Sequence, residues 1–308
     1  MEIRVLEYFL AIAREETISG AAKALHITQP TLSRQMKDLE DEIGKQLFIR
    51  SNKKITLTDE GILLRQRAEE IVSLINKTEQ ELITMDSVLS GNIYIGSGEC
   101  QTLRIITNAM KKMQKLHPGV KFNIHSGNGP DIIEKIDNGL IDFGMITKHP
   151  KISNYNHLEM PIRHHWGVLM LKDDPLAQLE TISFNDIKDK PLIISKETSE
   201  NSELVEWFNN DIDHLNIISK YSLLFNATLM VEDGLGYAIC FDNLVNTTGK
   251  SNLCFRPLEA SIEVTYYFIW KKYQVLNKVS QCFLDIVKKT IDEYGNLDTE
   301  ASRRPSGL

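Results

Sequence analysis

The chain has 308 residues, of which 42% are hydrophobic and 25% charged, and its formal net charge is −7. This composition excludes a wholly disordered chain, and the length is sufficient for two domains. The negative charge excludes a surface that is basic throughout, so any contact with nucleic acid must come from a local patch.

Membrane, metal and enzyme signals are missing from the sequence. No apolar run approaches the roughly 20 residues of a membrane span, and the acidic N-terminus does not resemble a signal peptide. Four scattered cysteines lack paired spacing, which is typical of a cytoplasmic protein. The histidines between residues 149 and 165 fit no compact ligand set, and the chain has no HExxH, P-loop or GxSxG motif. We therefore predict no metal, no cofactor, no membrane contact and no enzyme activity.

The first 44 residues predict three short helices. Residues 4–14 carry an apolar stripe (Val5, Phe9, Ile12 and Ala13), and a threonine or serine at 17 or 19 can cap a second helix. Thr28 is placed to cap a third helix, with Pro30 in its first turn and Gly44 at its end.

The third helix has two contrasting faces. Leu32, Met36, Leu39 and Ile43 fall within about 60° of one another and predict the buried face. In the first two turns the opposite face is small, polar and cationic, as in the second helix of a helix-turn-helix. From spacing alone, an ordinary amphipathic helix whose charges only face water is equally compatible.

Residues 47–58 predict a strand, a basic turn and a second strand. Such a hairpin beside a recognition helix is a wing, whose cations lie along phosphate or in the minor groove. The hairpin therefore favours DNA binding over the ordinary amphipathic helix.

The segment from Ala21 to Leu64 resembles the winged helix-turn-helix of LysR-type transcriptional regulators. The shared pattern is an alanine pair, Leu25, QP-x-x-S at Gln29–Ser33, LE-x-x-x-G at Leu39–Gly44, LF-x-R at Leu47–Arg50 and LT-x-x-G at Leu57–Gly61. EET at 15–17 departs from the family's usual glycine-serine, in a turn before the second helix. The resemblance implies an α/β protein with an N-terminal winged helix-turn-helix in residues 1–58.

The resemblance also implies which side chains face DNA. Arg34 and Gln29 are the expected base readers, because arginine pairs with guanine and glutamine with adenine. Ser33, Thr31 and Lys37 are expected to grip phosphate. The implied DNA-binding residues are Gln29, Pro30, Thr31, Ser33, Arg34 and Lys37 on the third helix and Arg50, Asn52, Lys53 and Lys54 in the wing.

Residues 59–90 predict a long linker helix. Apolar residues recur at alternating spacings of four and three from 64 to 89, interrupted by Thr78, which is typical of a coiled coil. Two copies would bury a continuous seam, and the family dimerises through this helix; packing onto its own C-terminal domain is the alternative. The predicted dimerisation residues are Leu64, Ala68, Ile71, Ile75, Leu82, Met85 and Leu89.

The remaining residues predict strands alternating with helices, including a strand at 221–225 and a helix near 275–293, and so a mostly parallel α/β sheet. The resemblance implies a periplasmic-binding-protein-like effector domain of two α/β subdomains with a small-molecule effector between them. We place the first subdomain at 91–162 and 267–293, the second at 163–266, and a disordered tail at 294–308.

Ligands of such sheets bind beyond the carboxyl ends of strands, at helix N-termini. Gln101 and Thr102 at a helix start suit a carboxylate, whereas Glu99 opposes one unless it points outward or the effector has an amino group. Cys100, whose pKa such a helix start could lower, is more typical of a spectator thiol. Capping or turn formation is as compatible with each residue as ligand contact. The expected effector-binding residues are Ser97, Cys100, Gln101, Thr102, Asn128, Thr147, Ser195, Phe225, Asn226 and Thr228.

The sequence therefore predicts a transcription regulator that binds double-stranded DNA as a homo-oligomer and responds to a small molecule. Pairing through residues 64–89 gives a dimer, the resemblance implies a tetramer, and RNA polymerase is a further candidate partner. The competing class is a solute-binding or enzymatic α/β protein whose first 58 residues are an adaptor. Only the regulator requires a DNA affinity that depends steeply on salt.

Overall fold

The computed structural model describes residues 1–50, 54–83, 89–196, 202–260, 262–273 and 275–301. The chain divides into two compact units, Met1–Asp86 and Ser87–Leu308.

The first unit is a winged helix-turn-helix followed by a long helix. Its elements are α1 (Ile3–Glu15), α2 (Ile18–Ala24), α3 (Gln29–Ile43), β1 (Phe48–Arg50), β2 (Ile55–Leu57) and α4 (Asp59–Ile83). The Thr17 hydroxyl caps α2 by accepting from the Gly20 N–H, and the Thr28 hydroxyl caps α3 by accepting from the Thr31 N–H. Gly44 ends α3 in the left-handed conformation, with φ of 72°. The predicted roles of Thr28 and Gly44 are confirmed, and of the two candidate caps for α2, Thr17 and Ser19, the structure has Thr17.

The core of the first unit lies where α1, α2 and α3 meet the hairpin. Phe9, Leu32, Met36 and Leu39 are almost fully buried. Ile43, which the spacing assigned to the same face, is 40% exposed. It is the last residue of α3, beyond which Gly44 turns the chain away, so the buried stripe ends one turn earlier than predicted.

The family's usual glycine in the turn after α1 has a physical reason. Glu16 occupies that turn with φ of 54°, in the left-handed region that favours glycine, and its N–H donates to the Ile12 carbonyl. Its own carbonyl accepts from the Ile55 N–H at 2.8 Å. The EET departure therefore sits at the point that ties α1 to the wing.

The second unit is built on one mixed sheet. Its strands are β3 (Gly91–Ser97), β4 (Val120–Ser126), β5 (Phe143–Thr147), β6 (Tyr155–Leu171), β7 (Leu192–Ser195), β8 (Ile217–Tyr221), β9 (Tyr237–Phe241), β10 (Leu253–Pro257) and β11 (Glu263–Lys271). They follow the order β4-β3-β5-β11-β6-β9-β7-β8, with β10 also paired to β6.

The sheet is not mostly parallel, and that prediction was wrong. β3 pairs in parallel with β4 and β5, as β7 does with β8 and β9. β11 pairs antiparallel with β5 and β6, and β6 with β9 and β10. The antiparallel pairs arise because β6 and β11 pass between the two halves of the unit. We call the half with β3, β4 and β5 the first subdomain and the half with β7 to β10 the second; their exact boundaries stay predictions.

The helices of the second unit are α5 (Leu103–Leu116), α6 (Gly129–Asp137), α7 (Phe184–Ile187), α8 (Ser202–Trp207), α9 (Leu224–Glu232) and α10 (Lys278–Ala301). The predicted strand at 221–225 is wrong, because Leu224, Ala227, Thr228 and Val231 form the buried side of α9. The predicted disordered tail from 294 is wrong up to Ala301, where α10 ends. Tyr294 is anchored there, since its hydroxyl accepts from the Asn108 amide. Residues 302–308 lie outside the described residues.

Within the described residues, no helix combines the length and apolar character needed to cross a bilayer. The same part of the chain contains no group of three or more His, Cys, Asp or Glu side chains that could hold a metal ion.

Candidate functional site

The outward face of α3 presents polar and cationic side chains at its N-terminal end. Gln29, Pro30, Thr31, Arg34 and Lys37 are exposed, on the side opposite the buried residues of the helix. Ser33 is half-buried at the edge of the same face. We call these six residues the recognition face. Their exposure permits contact with a groove, and their individual DNA contacts stay predictions.

Two side chains of the recognition face have local contacts. The Thr31 hydroxyl lies 2.8 Å from the Thr28 hydroxyl, so it is held at the start of the helix. The Arg34 side chain is 84% exposed, and its Nε lies 3.9 Å from Asp38 Oδ2. At that distance and exposure the ion pair is weak, which leaves the guanidinium available to a base.

The wing is present as the antiparallel pair of β1 and β2. Of its four predicted DNA-binding residues, Asn52, Lys53 and the side chain of Arg50 lie outside the described residues. Lys54 is exposed, and its Nζ lies 2.7 Å from Glu16 Oε1. A phosphate contact by Lys54 would therefore compete with this surface ion pair.

The linker helix α4 turns part of its apolar stripe toward its own unit. Ala68 is fully buried and Leu64 partly buried against the winged-helix core. The assignment of Ala68 to a dimer seam is therefore wrong, because packing within its own chain already buries it, whereas that of the partly buried Leu64 stays a prediction. Ile71 and Leu74 are 38% and 40% exposed, and Ile75 is half-buried. These residues keep an apolar surface available further along the helix.

The end of the predicted seam also differs. Leu89 is not helical and packs against the core of the second unit, so its assignment to the seam is wrong. Met85 and the side chain of Leu82 lie outside the described residues.

A cavity of about 390 Å³ opens in the second unit between the two subdomains. The first subdomain contributes the ends of β3 and β5 and the start of α6, and the second contributes the ends of β7 and β8 and the start of α9. Three aromatic side chains form an apolar side: the rings of Trp166 and Phe241 are 4.1 Å apart, and those of Phe241 and Tyr266 6.2 Å apart. The volume and mixed lining are suitable for a small organic molecule.

Three of the predicted effector residues, Asn128, Thr147 and Ser195, line the cavity. The other seven do not. On α9, Phe225 and Asn226 are exposed outside the cavity, and the Thr228 hydroxyl donates to the Leu224 carbonyl. They were misplaced because 221–225 was taken as a strand, which shifted the start of the helix.

In the loop after β3, Gly98 and Glu99 line the cavity, but the predicted residues of this loop contact other protein groups instead. Ser97 is buried and its hydroxyl donates to the Gly98 carbonyl. The Gln101 amide donates to the Asn243 carbonyl at 2.6 Å. Cys100 is half-buried, and desolvation raises its pKa to about 11. The thiol is therefore protonated at neutral pH, as a spectator cysteine would be.

Thr102 belongs to a buried polar chain. Its hydroxyl lies 2.7 Å from His164 Nε2, and both residues are almost fully buried. His164 Nδ1 lies 3.2 Å from Asp242 Oδ1, and that oxygen also accepts from the His165 N–H at 3.3 Å. These bonds join the first subdomain to the second. Thr102 is thus a structural tether, which corrects its assignment as a ligand contact.

Burial alone would raise the pKa of Asp242, but the hydrogen bonds from His164 and His165 and their charges lower it below its ordinary value of 3.8. A carboxylate with a lowered pKa stabilises the fold fully above its ordinary pKa. This stabilisation is lost as the pH falls through the pKa of the folded state.

We expect Asp242→Asn to lower the urea midpoint of unfolding at about pH 7, and the difference from wild type to shrink when the measurement is repeated below the ordinary pKa of 3.8, because the wild-type carboxylate becomes protonated as the pH falls through its lowered pKa. Urea unfolding followed by circular dichroism measures both values. Asp233→Asn, at an exposed residue after α9, is the control and should match wild type at both pH values. A difference for Asp242→Asn that does not change with pH would contradict the role of the charge.

Two family models match the chain. The model described as "Bacterial regulatory helix-turn-helix protein, lysR family" matches residues 3–62, and "LysR substrate binding domain" matches residues 86–292. The chain belongs to the LysR family. It is a LysR-type DNA-binding transcription regulator, with the helix-turn-helix in its first unit and the substrate-binding domain in its second.

Relatives match this LysR-type chain over nearly its whole length. The HTH-type transcriptional regulator BsdA of Bacillus subtilis is 29% identical, covering 93% of this chain and 100% of the relative. The HTH-type transcriptional activator CmpR of Synechocystis sp. is 26% identical, covering 91% and 92%.

Solved structures share the fold. Full-length CbnR complexed with its target DNA has a TM-score of 0.72 at 18% identity, covering 94% of this chain and 100% of that one. Full-length BenM has a TM-score of 0.52 at 22% identity, covering 97% and 98%.

Several cavity residues of this LysR-type domain were not in the predicted set. Trp166 and Tyr266 line it from the two strands that pass between the subdomains, β6 and β11. Lys148 and Lys196 line it directly after β5 and β7. The lysines directly follow Thr147 and Ser195, which were among the predicted effector residues, whereas nothing in the local sequence separates Trp166 from a core residue.

Proposed function

We propose that this regulator binds an operator as a homo-oligomer and that a small molecule in the cavity between the subdomains changes that binding. The recognition face carries the proposal: its polar and cationic residues are exposed while Leu32, Met36 and Leu39 are buried behind them. A helix with this division can enter a major groove without disturbing its own core.

Sequencing the DNA that co-purifies with the protein from cells tests the operator. We expect enrichment of a short inverted repeat, because two winged helices related by a twofold axis contact two half-sites. A random distribution of fragments would contradict specific binding.

Oligomerisation is proposed to use α4 beyond its contact with the winged-helix core. Ile71, Leu74 and Ile75 leave apolar surface there, and a second copy of the helix would cover it. Two copies also double the contacts to one duplex, since a single winged helix contacts few base pairs.

Ile75→Glu should convert the dimer to monomers and weaken operator binding, because a charge would be buried between the helices. Ser73→Glu is the matched control: Ser73 is exposed and lies about 160° around the helix from Ile75. Light scattering measures the mass of both variants. An Ile75→Glu variant that is still dimeric would exclude this part of α4 from the interface.

The remaining functional proposals rest on the relatives, which are transcriptional regulators. We infer that the chain catalyses no reaction of its own and acts in the cytoplasm, where its DNA lies. RNA polymerase is a candidate partner for regulation at a promoter.

A further inference from the structure

Glu99 reaches across the cavity from the first subdomain. One oxygen of its carboxylate accepts a hydrogen bond from the Leu224 N–H, at the first residue of α9 in the second subdomain. No side chain caps α9 from its N-cap residue, Leu223. The carboxylate of Glu99 therefore occupies the positive end of this helix, where an anionic ligand would otherwise bind.

The lysine side chains that line the cavity have no comparable partner among the described residues. Lys148 follows β5 in the first subdomain and Lys196 follows β7 in the second, and both line the cavity. Neither ammonium group has an acidic partner within the described residues. Glu99 is the one carboxylate among the described lining residues, and the helix end engages it. The two lysines come from different subdomains and both are exposed, and an anion between them would be attracted by both charges.

The aromatic side of the cavity supplies contacts for a carbon skeleton. Trp166 is 95% buried, and its indole Nε1–H has no acceptor among the described residues. A buried N–H without an acceptor is costly, and a polar substituent on the carbon skeleton, separate from the acid group, could satisfy it.

From these features we infer that the cavity binds an organic acid, with its acid group between Lys148 and Lys196 and its apolar part against Trp166, Phe241 and Tyr266, while Glu99 excludes a second carboxylate from the start of α9. This inference rests on the proposed function and names the chemical class of its effector.

A matched series with one aromatic skeleton tests the charge preference. Phenylacetate, phenylacetamide and 2-phenylethylamine carry negative, zero and positive charge, and calorimetry on the full chain without DNA gives their affinities. We expect phenylacetate to bind most tightly. Lys148→Gln and Lys196→Gln should each weaken the binding of phenylacetate about tenfold, because a charged contact is lost. Neither substitution should have much effect on the binding of phenylacetamide. Lys121→Gln, on the exposed side of β4, is the control and should leave all three affinities unchanged.

Glu99→Gln adds an independent outcome. The amide keeps a hydrogen-bond acceptor for the Leu224 N–H and removes a negative charge from the cavity, so phenylacetate affinity should rise several-fold. Absence of saturable phenylacetate binding, tighter binding of the amine, or affinities unaffected by all three substitutions would overturn the inference. If phenylacetate binds as expected but leaves the affinity for the operator unchanged, the inferred binding site is supported. The proposed effector response is then contradicted for this acid.

Discussion

Arg34→Ala should weaken binding to the operator by about 1–3 kcal/mol and relax the preference at one base pair. The guanidinium is 84% exposed on the recognition face, with one weak contact to Asp38 at 3.9 Å. Arginine recognises guanine through two hydrogen bonds, so its loss should weaken specific binding far more than non-specific binding. Competition assays with cognate and random duplexes measure the two affinities.

Lys37→Ala is the matched comparison for Arg34. Lys37 is also exposed on the recognition face, but a lysine bound to phosphate carries no sequence information. The Lys37→Ala substitution should therefore weaken binding to cognate and to random DNA by the same factor. Uniform weakening by Arg34→Ala as well would exclude Arg34 from base recognition.

Phe9→Ala should destabilise the winged-helix unit by about 3–5 kcal/mol, which is enough to unfold many small domains. Phe9 is fully buried, and its ring lies 5.2 Å from that of Phe48 in β1, so the change leaves a cavity between α1 and the wing. The core of the second unit contains neither residue. DNA binding should therefore be lost while ligand binding by the second unit is kept.

Urea unfolding followed by circular dichroism measures this difference, with Phe225→Ala as the control. Phe225 is 67% exposed, and a surface change of this kind is expected to cost no more than about 0.5 kcal/mol. A Phe9→Ala variant as stable as this control would contradict the core assignment.

Local signals predicted the first unit well. Thr17, Thr28 and Gly44 mark helix ends through hydrogen bonds and backbone conformations that involve near neighbours, and all three act as predicted. The buried face of α3 also follows from spacing, except at Ile43. Spacing alone could not predict which surface an apolar stripe packs against. The apolar periodicity of α4 is present, but Leu64 and Ala68 pack against the winged-helix core of their own chain.

The cavity was predictable only in outline. The predicted strand ends correctly identified Asn128, Thr147 and Ser195 as cavity residues, because the carboxyl ends of strands determine where a ligand can lie. The partners of Glu99 and Thr102 lie 125 and 62 residues away in sequence. Whether such a side chain binds a ligand or the opposite subdomain depends on the folded arrangement, so Thr102 was misassigned and the role of Glu99 was left open.

The salt dependence of operator binding tests the central claim most directly. If the recognition face and wing lie on phosphate and bases, the logarithm of affinity should fall linearly with the logarithm of salt concentration, with a slope of about −0.9 for each phosphate neutralised. Lys37→Ala should reduce that slope by about one. A wild-type affinity that does not change with salt, or no affinity for double-stranded DNA, would contradict the account.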